Sequence, residues 1–365
     1  MHFDLRAEVT RNRDLLQVDG AVLDDRDMQA VTIEDHSVGG YDHRWRLARD
    51  IQFDGTIDPR TERAVRIGDV NLGQQRPAAG PEWISVQPLW VDKSDHLWAL
   101  DSSLPKVDQE RLPPKLVEFD LSDNRVIRQY DFNGVVSAKD SLSDVRIDTL
   151  HDCAYLTNAG NKGGLVVLDL KTGNARQVLV GDRSTFADSS QHLMIGNDVA
   201  LRPDGSVVVV QVDGIALSPD AQWLYYRPPT DHNYWRVPTA ALRDAGLSNA
   251  DLSGKVEYLG SSALSGGLIM DASGTLYGGD LEHRTVVALT LTPDHKLSSE
   301  VFVRDPSKLS WADGFAISGG YLYIADSHLW EVAFKNNLPR SGPFTIGGLN
   351  RSTQHFILKE RWSVL

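Results

Sequence analysis

Residues 313–326 read DGFAISGGYLYIAD, an apolar strand, a glycine turn and a second apolar strand that ends in an aspartate. Two short apolar runs joined by a turn are typical of a β-hairpin. The same pattern recurs at residues 86–101, 143–158, 213–226 and 266–280. Each copy has Asp or Ser at its turn, and successive turn residues lie 47 to 70 residues apart. This spacing fits one four-stranded blade per copy, so the repeat predicts a β-propeller.

Further strand-rich runs follow several of the hairpins, as at residues 115–127 and 165–175. Two hairpins make one four-stranded blade, and five such blades occupy about residues 80–330. The two ends of the chain leave room for a sixth blade. We therefore predict an all-β, six-bladed β-propeller in which residues 1–365 form one domain. In this prediction, N-terminal and C-terminal strands together close the sixth blade.

Two segments depart from the strand pattern. Residues 238–246 begin with proline, continue with alanines and end in glycine, which predicts a helix of one or two turns. Residues 181–204 are polar and poor in strand signal, so we expect a long loop there. Loops of that length within a compact domain often serve a function.

Composition narrows the classes of partner. The 365 residues carry 50 acidic and 37 basic side chains, and the formal net charge of -13 disfavours binding to nucleic acid or to anionic membranes. A single cysteine, Cys153, rules out an intramolecular disulfide. Residues 1–8 are charged where a secretory signal would be apolar, which predicts a cytoplasmic protein. We expect a small-molecule partner; the oligomeric state is open.

Strand order predicts where chemistry is located. In an antiparallel blade, the first strand starts on the face on which the second strand ends, so residues at both places gather at one mouth of the central channel. Polar residues occupy most of these positions. The first-strand starts carry Gln87, Asp144, Asp213 and Asp313, and the second-strand ends carry or precede Asn158, Asp280, Glu282, His283 and His328.

This mouth is suited to proton transfer. Crowded carboxylates in a poorly solvated funnel raise one another's pKa, which lets one of them act as a general acid or base with a histidine as partner. We predict that the catalytic residues are Asp213, Asp313, Glu282 and His283. We predict that substrate is bound by Gln87, Asp144, Asn158, Asp280 and His328. The turn carboxylates Asp92, Asp148 and Asp271 are instead expected to accept backbone N–H groups.

A metal site is the alternative at the same mouth. Carboxylate and amide oxygens are the ligands that hard divalent cations prefer. The ligands would be Asp213, Asp313, Gln87 and Asn158, and the ion in the channel would be Ca²⁺, Mg²⁺, Mn²⁺ or Zn²⁺. Such an ion polarises a carbonyl or activates water.

Several of these runs resemble a known family. The resemblance to the major royal jelly protein and Yellow family, in its microbial branch, is carried by residues 85–101, 113–121, 154–158, 213–219, 279–283 and 309–313. It extends over about residues 80–345 and implies a six-bladed propeller, akin to gluconolactonase-like propellers. The family includes proteins similar to isomerases, amine-binding proteins and nutritional proteins, so the fold does not fix the function. Gly266 departs from the pattern, because an acidic residue is common there.

Three functions fit these observations. We favour a proton-transfer enzyme of the tautomerase, isomerase or cyclase kind that acts on a small polar or cyclic metabolite. A metal-dependent lactone hydrolase is the second hypothesis, and a non-catalytic small-molecule-binding propeller is the third. The motifs of serine hydrolases, zincins, P-loop nucleotidases and nicotinamide enzymes do not occur in the sequence.

Overall fold

The computed structural model describes ten stretches of the chain. They are residues 56–58, 63–65, 86–103, 112–123, 125–137, 139–202, 204–318, 320–326, 344–351 and 356–362. His328 and most of the first 85 residues lie outside them.

The described residues form five four-stranded antiparallel sheets and two short hairpins. The first hairpin is β1 (Thr56–Asp58) with β2 (Arg63–Val65). Sheet one contains β3 (Val86–Val91), β4 (His96–Asp101), β5 (Lys115–Asp120) and β6 (Arg125–Asp131). Sheet two contains β7 (Leu142–Asp148), β8 (Cys153–Asn158), β9 (Leu165–Asp169) and β10 (Ala175–Val178). The second hairpin, β11 (Met194–Ile195) with β12 (Asp198–Val199), follows sheet two.

The remaining three sheets follow in chain order. Sheet three contains β13 (Ile215–Leu217), β14 (Trp223–Tyr226), β15 (Asn233–Pro238) and β16 (Glu257–Ser261), with α1 (Thr239–Arg243) and α2 (Asn249–Ser253) between its last two strands. Sheet four contains β17 (Leu268–Met270), β18 (Leu276–Asp280), β19 (Thr285–Leu291) and β20 (Leu297–Arg304). Sheet five contains β21 (Ala312–Ser318), β22 (Tyr321–Asp326), β23 (Phe344–Asn350) and β24 (Phe356–Trp362).

The sheets are arranged as propeller blades. The first strand of each sheet contacts the first strand of the next, in the order β3, β7, β13, β17 and β21. Apolar side chains from adjacent sheets interdigitate, so that Leu100 and Leu116 of sheet one pack in one cluster with Leu156 of sheet two. The repeated aromatic position also packs between blades, and Tyr155 and Tyr323 are fully buried. The predicted all-β propeller is therefore confirmed.

The described residues contain five blades and only part of the segments that we expected to form a sixth. Strands β23 and β24, which we expected to share a sixth blade with N-terminal strands, pair instead with β22 and with each other in sheet five. The N-terminal region that would supply the remaining strands lies mostly outside the described residues. A sixth blade therefore stays a prediction.

The two irregular segments are only partly as expected. The predicted helix is confirmed as α1, but α2 follows it and was not foreseen. The expected long loop contains the hairpin β11–β12. Within the described stretches, no helix has both the length and the apolar character needed to cross a membrane.

The turn carboxylates anchor backbone, as expected. Asp92 accepts the N–H groups of Ser94 and His96, at 2.7 and 3.2 Å. Asp271 accepts the N–H groups of Ser273 and Thr275, at 2.9 and 3.0 Å. These bonds close the turns between the first and second strands of their sheets. They also give an acceptor to turn N–H groups that have no partner in the neighbouring strand.

Asp271 gives a prediction about acid stability. Burial raises the pKa of Asp271, but hydrogen bonds from Ser273 and Thr275 and the charge of Arg351 outweigh it, so the pKa lies below its ordinary value. A depressed pKa in the folded state adds stability above the unfolded value of about 3.9, and this stability is lost as the pH falls through the folded value. We expect Asp271→Asn to lower the unfolding free energy at pH 7 by about 1–3 kcal/mol.

Urea denaturation at pH 7 and pH 3 measures both parts of this effect. The difference between wild type and Asp271→Asn should shrink at pH 3, because the wild-type carboxylate is then losing its charge. Asp152→Asn is the matched control, since Asp152 pairs with Lys171 at the surface and such pairs contribute little. An equal loss for both variants would contradict the prediction.

Candidate functional site

The first-strand starts meet closely at the channel axis. A Cβ atom on Gly214, just before β13, would lie 1.9 Å from the carbonyl oxygen of Gly266, and a Cβ on Gly266 would lie 1.9 Å from Oδ1 of Asp313. Gly267 donates its N–H to the same Oδ1 at 2.7 Å. Glycine therefore stands at position 266 because the Asp313 carboxylate occupies the space of a side chain.

The predicted catalytic residues Asp213 and Asp313 are both buried. Asp313 was expected to face the channel without a backbone partner, and that expectation is wrong. Its Oδ1 accepts the Gly267 N–H, and its Oδ2 accepts the Trp311 indole N–H at 3.1 Å. Asp213 donates its backbone N–H to the Arg227 carbonyl at 3.0 Å. Asp313 thus joins sheets four and five, and a catalytic role for either residue stays a prediction.

Asp144 forms a buried ion pair that the sequence analysis did not anticipate. Its Oδ1 lies 2.5 Å from Nη1 of Arg146, and its Oδ2 accepts the N–H of Ile215 at 3.3 Å. Arg146 also donates from Nη2 to the Leu268 carbonyl of β17 at 2.5 Å. Its guanidinium carbon lies 4.6 Å from the centre of the Trp90 ring. One side chain of sheet two therefore links sheets one and four across the axis.

Trp90 is the aromatic neighbour of this ion pair. Trp90 of β3 packs against apolar clusters on both sides of it, one shared with sheet two and one formed by sheets four and five. Trp90 and Arg146 therefore pack against each other where these sheets meet. The sequence contained a signal for Arg146, because the equivalent positions of the other copies hold the apolar residues Trp90, Ala216, Ile269 and Ala316.

Gln87 and Asn158, expected to bind substrate or a metal, are engaged within their own sheets. Gln87 Oε1 accepts the Ser102 hydroxyl at 3.1 Å. Asn158 Oδ1 accepts the N–H groups of Ser141 and Gly160, both at 3.1 Å, and its Nδ2 donates to Gln177. Both side chains are buried. Their role as ligands to a cation stays a prediction.

Three predicted residues do come together where β18 ends, and we call them the cluster after β18. His283 Nδ1 lies 2.9 Å from both carboxylate oxygens of Asp280, and the His283 backbone N–H also bonds Asp280. The ligand atoms of Asp280, Glu282 and His283 all lie within 4.8 Å of one another. The His283 side chain is 63% exposed, whereas those of Asp280 and Glu282 are each 12% exposed. The imidazole therefore faces solvent and its two carboxylate neighbours lie below it.

Glu282 is held by two further elements. Its Oε1 accepts the N–H of Met194 in β11 at 2.8 Å, and its Oε2 lies 3.1 Å from Nε2 of His232. The other ring nitrogen of His232 lies 3.0 Å from Oε1 of Gln191. Burial raises the pKa of Glu282, but the hydrogen bonds from His232 and Met194 outweigh it and hold the pKa below its usual range. Glu282 is therefore a carboxylate at neutral pH.

His232 was not among the predicted residues. It lies in the loop that follows β14, the second strand of sheet three, directly before β15; Asn158 and Asp280 are the last residues of the equivalent strands of sheets two and four. The loop is positioned by Arg227, which is fully buried. The Arg227 guanidinium donates to the carbonyl groups of Pro228, Asp231 and Ala263. The rule that every second strand ends at the mouth, which we call the strand-end rule, points to this loop when it is applied to sheet three.

The segment from residue 179 to 214 covers this side of the mouth. Leu193, Ala200 and Val208 pack in one apolar cluster with Leu264, Leu281 and Trp311. Those last three residues lie just before β17, just after β18 and just before β21, so all belong to the mouth face. The segment thus places Gln191 and Met194 beside Glu282. A functional role for this long connection stays a prediction.

Comparisons with known proteins agree with the fold. The model of the family described as major royal jelly protein matches residues 84–353. Major royal jelly protein 1 of Apis mellifera is 27% identical over 236 residues, which are 56% of this chain and 50% of the relative. Major royal jelly protein 2 of the same organism is 27% identical over 270 residues, which are 62% of this chain and 55% of the relative. The chain thus spans about half the length of these relatives.

Solved structures with a similar arrangement have low sequence identity. A gluconolactonase from Xanthomonas campestris gives a TM-score of 0.39 at 14% identity, over 66% of this chain and 68% of the other. A putative 6-phosphogluconolactonase from Bacteroides fragilis gives 0.48 at 11% identity, over 94% and 84%.

Proposed function

Since the chain belongs to the major royal jelly protein family, we propose that the cluster after β18 is a small-molecule site in which His283 transfers a proton. The observation that carries the proposal is the bond from His283 Nδ1 to Asp280 at 2.9 Å. No described residue bonds the other ring nitrogen, Nε2. A histidine held by a carboxylate at one nitrogen and open at the other is the usual arrangement of a general base.

Glu282 supports this assignment electrostatically. Its carboxylate keeps its charge, because His232 and Met194 donate to it. A negative charge beside the imidazole stabilises the imidazolium that forms when His283 takes a proton. Asp280 fixes the orientation of the ring and Glu282 balances its charge, so the two carboxylates have different tasks. The substrate class is a small polar or cyclic molecule with an enolisable carbon.

A metal-assisted hydrolase is the second candidate. One observation favours it: the donor atoms of Asp280, Glu282 and His283 lie within 4.8 Å of one another. Two carboxylate oxygens and one imidazole nitrogen suit Mn²⁺ or Zn²⁺, and such an ion would polarise a lactone carbonyl. In that case the basic nitrogen of His283 would bind the ion and could not accept a proton.

Deuterium exchange tests the proton-transfer proposal without knowledge of the natural substrate. The purified protein is incubated in D2O with a panel of α-keto acids and cyclic ketones, and deuterium at the α-carbon is followed by NMR. We expect His283→Gln to lower the exchange rate about 10²- to 10⁴-fold, which is the usual contribution of a general base. Asp280→Asn should lower it less, because the ring remains but loses its orientation.

The control and the alternative use the same samples. His295→Gln is the matched control, since the His295 side chain is 64% exposed and lies on the turn between β19 and β20. Exchange that persists in His283→Gln rejects the proton-transfer role. Exchange or lactone hydrolysis that requires added Mn²⁺ or Zn²⁺, is lost with EDTA and is absent from His283→Gln supports the hydrolase instead. Tight ligand retention without any turnover supports a binding protein.

A further inference from the structure

A second cluster of polar side chains lies on the face opposite the mouth. It surrounds the turn between β7 and β8, where the first strand of sheet two ends. Asp148 is buried there, and its Oδ2 lies 2.8 Å from Nδ1 of His151, 3.2 Å from the Tyr155 hydroxyl and 3.3 Å from Nη1 of Arg243. One carboxylate thus holds an imidazole and a guanidinium side by side.

These two side chains line a hollow of about 220 Å³. Its apolar wall is formed by Ala221, Trp223, Pro238 and Ala240. The wall is fixed, because Thr239 at the start of α1 donates its N–H to the Gln222 carbonyl at 2.9 Å and its hydroxyl to the Ala221 carbonyl at 2.6 Å. At about 30 Å³ per water molecule, the hollow has room for about seven waters, or for one small organic molecule.

The Arg243 guanidinium, which lines this space, has one edge that no described residue engages. Its Nη1 is occupied by Asp148 and by the Tyr155 hydroxyl at 3.0 Å. No described residue accepts a hydrogen bond from its Nη2 or Nε, and the side chain is 23% exposed. The Nε–Nη2 edge has the geometry that binds both oxygens of a carboxylate. His151 adds a nitrogen, Nε2, that no residue in the described stretches bonds.

The opposite wall fits an apolar body. The wall includes Trp223, and the guanidinium carbon of Arg236 lies over this ring, 3.9 Å from its centre. An aromatic ring is bound well between a tryptophan and small apolar side chains, because it loses little conformational freedom. The hollow therefore combines one planar cationic edge with one apolar wall, within a volume too small for a drug-sized ligand.

We propose that this hollow binds a small aromatic or cyclic carboxylate. The carboxylate pairs with the Nε–Nη2 edge of Arg243, and the ring lies against Trp223 and Pro238. Asp148 and Tyr155 are positioning residues, since they orient the guanidinium from behind. This site is separate from the cluster after β18, and its occupation does not depend on the proton-transfer proposal.

Benzoate is the probe, and the indole N–H resonance of Trp223 is the local readout in ¹⁵N-labelled protein. Trp223→Phe assigns that resonance. Benzoate should shift it with a saturable dependence and a Kd of about 1 mM, as expected for a fragment of this size. Benzamide has the same shape without the charge, and phosphate has charge without the ring. Both should bind at least tenfold more weakly.

Two variants test the assignment to Arg243. Arg243→Gln should weaken benzoate binding at least tenfold, while Arg304→Gln, an equal change of charge at the exposed end of β20, should leave it within twofold. If Arg243→Gln does not fold, Ala240→Trp fills the hollow without touching Asp148 and should abolish binding. An unshifted Trp223 resonance, equal binding of benzamide or phosphate, or undiminished binding in the folded variants would each overturn the proposal.

Discussion

Gly214→Ala is expected to prevent the propeller from folding, or to lower its melting temperature by at least about 5 °C. The added Cβ would lie 1.9 Å from the Gly266 carbonyl oxygen and 3.0 Å from the Gly266 carbonyl carbon. Both atoms are backbone, so no side-chain rotation relieves the clash. Sheets three and four would have to separate at the axis, and overpacking of this kind costs about 3 kcal/mol or more.

Gly246→Ala is the matched control for this variant. Gly246 follows α1, and the nearest atom to its added Cβ is Oδ1 of Asp244, a side-chain atom at 3.2 Å. We expect that variant to melt within about 2 °C of the wild type. Differential scanning calorimetry of both proteins makes the comparison. A soluble Gly214→Ala protein with an unchanged melting temperature would show that the close approach of the two glycines is not needed for the fold.

Arg146→Met should lower the unfolding free energy by about 3–5 kcal/mol, because it leaves the Asp144 carboxylate buried without its cation. Asp144 is fully buried, so water cannot replace the guanidinium. The variant also removes the bond to the Leu268 carbonyl across the axis. Methionine keeps much of the length and apolar contact of the arginine stem, so the loss measures the charge and its hydrogen bonds more than the packing.

The double variant Asp144→Asn/Arg146→Met separates the pair from its surroundings. Asparagine is neutral, and its one oxygen can keep the 2.7 Å bond from the Val145 N–H, while the 3.3 Å bond from the Ile215 N–H to the second carboxylate oxygen is lost. We expect the double variant to recover at least about half of the loss, since buried ion pairs are often replaceable as a unit. Chemical denaturation of the wild type, both single variants and the double variant gives the coupling energy. Additive losses would mean that the two side chains act independently.

Local pattern predicted the parts of the fold that depend on local sequence. The hairpin repeat places the first two strands of each of the five sheets, and the turn carboxylates act as the pattern indicated. The strand-end rule also brought Asp280, Glu282 and His283 to one place, because a residue at the end of a strand must lie at that edge of the sheet whatever its neighbours are.

Contacts between residues that are far apart in the sequence could not be predicted from local pattern. The partner of Asp313 is a backbone N–H of the neighbouring sheet, and the glycine at position 266 makes sense only once that carboxylate is placed. Arg146 bonds a carbonyl 122 residues away, which no local period encodes. His232 was missed because it lies directly before β15 and not at the end of β14, where the pattern of strand ends looks for polar residues.

The single cysteine has a practical consequence. Cys153 begins β8, its side chain is buried, and burial raises the pKa of its thiol to about 11. Alkylating reagents attack the thiolate, so the folded molecule is nearly inert to them at neutral pH. Each modified molecule must then have opened sheet two at least once. Because the chain has one thiol, the fraction of labelled protein can be followed over time by mass spectrometry. Its rate of increase reports how often sheet two opens, and no reporter group has to be introduced.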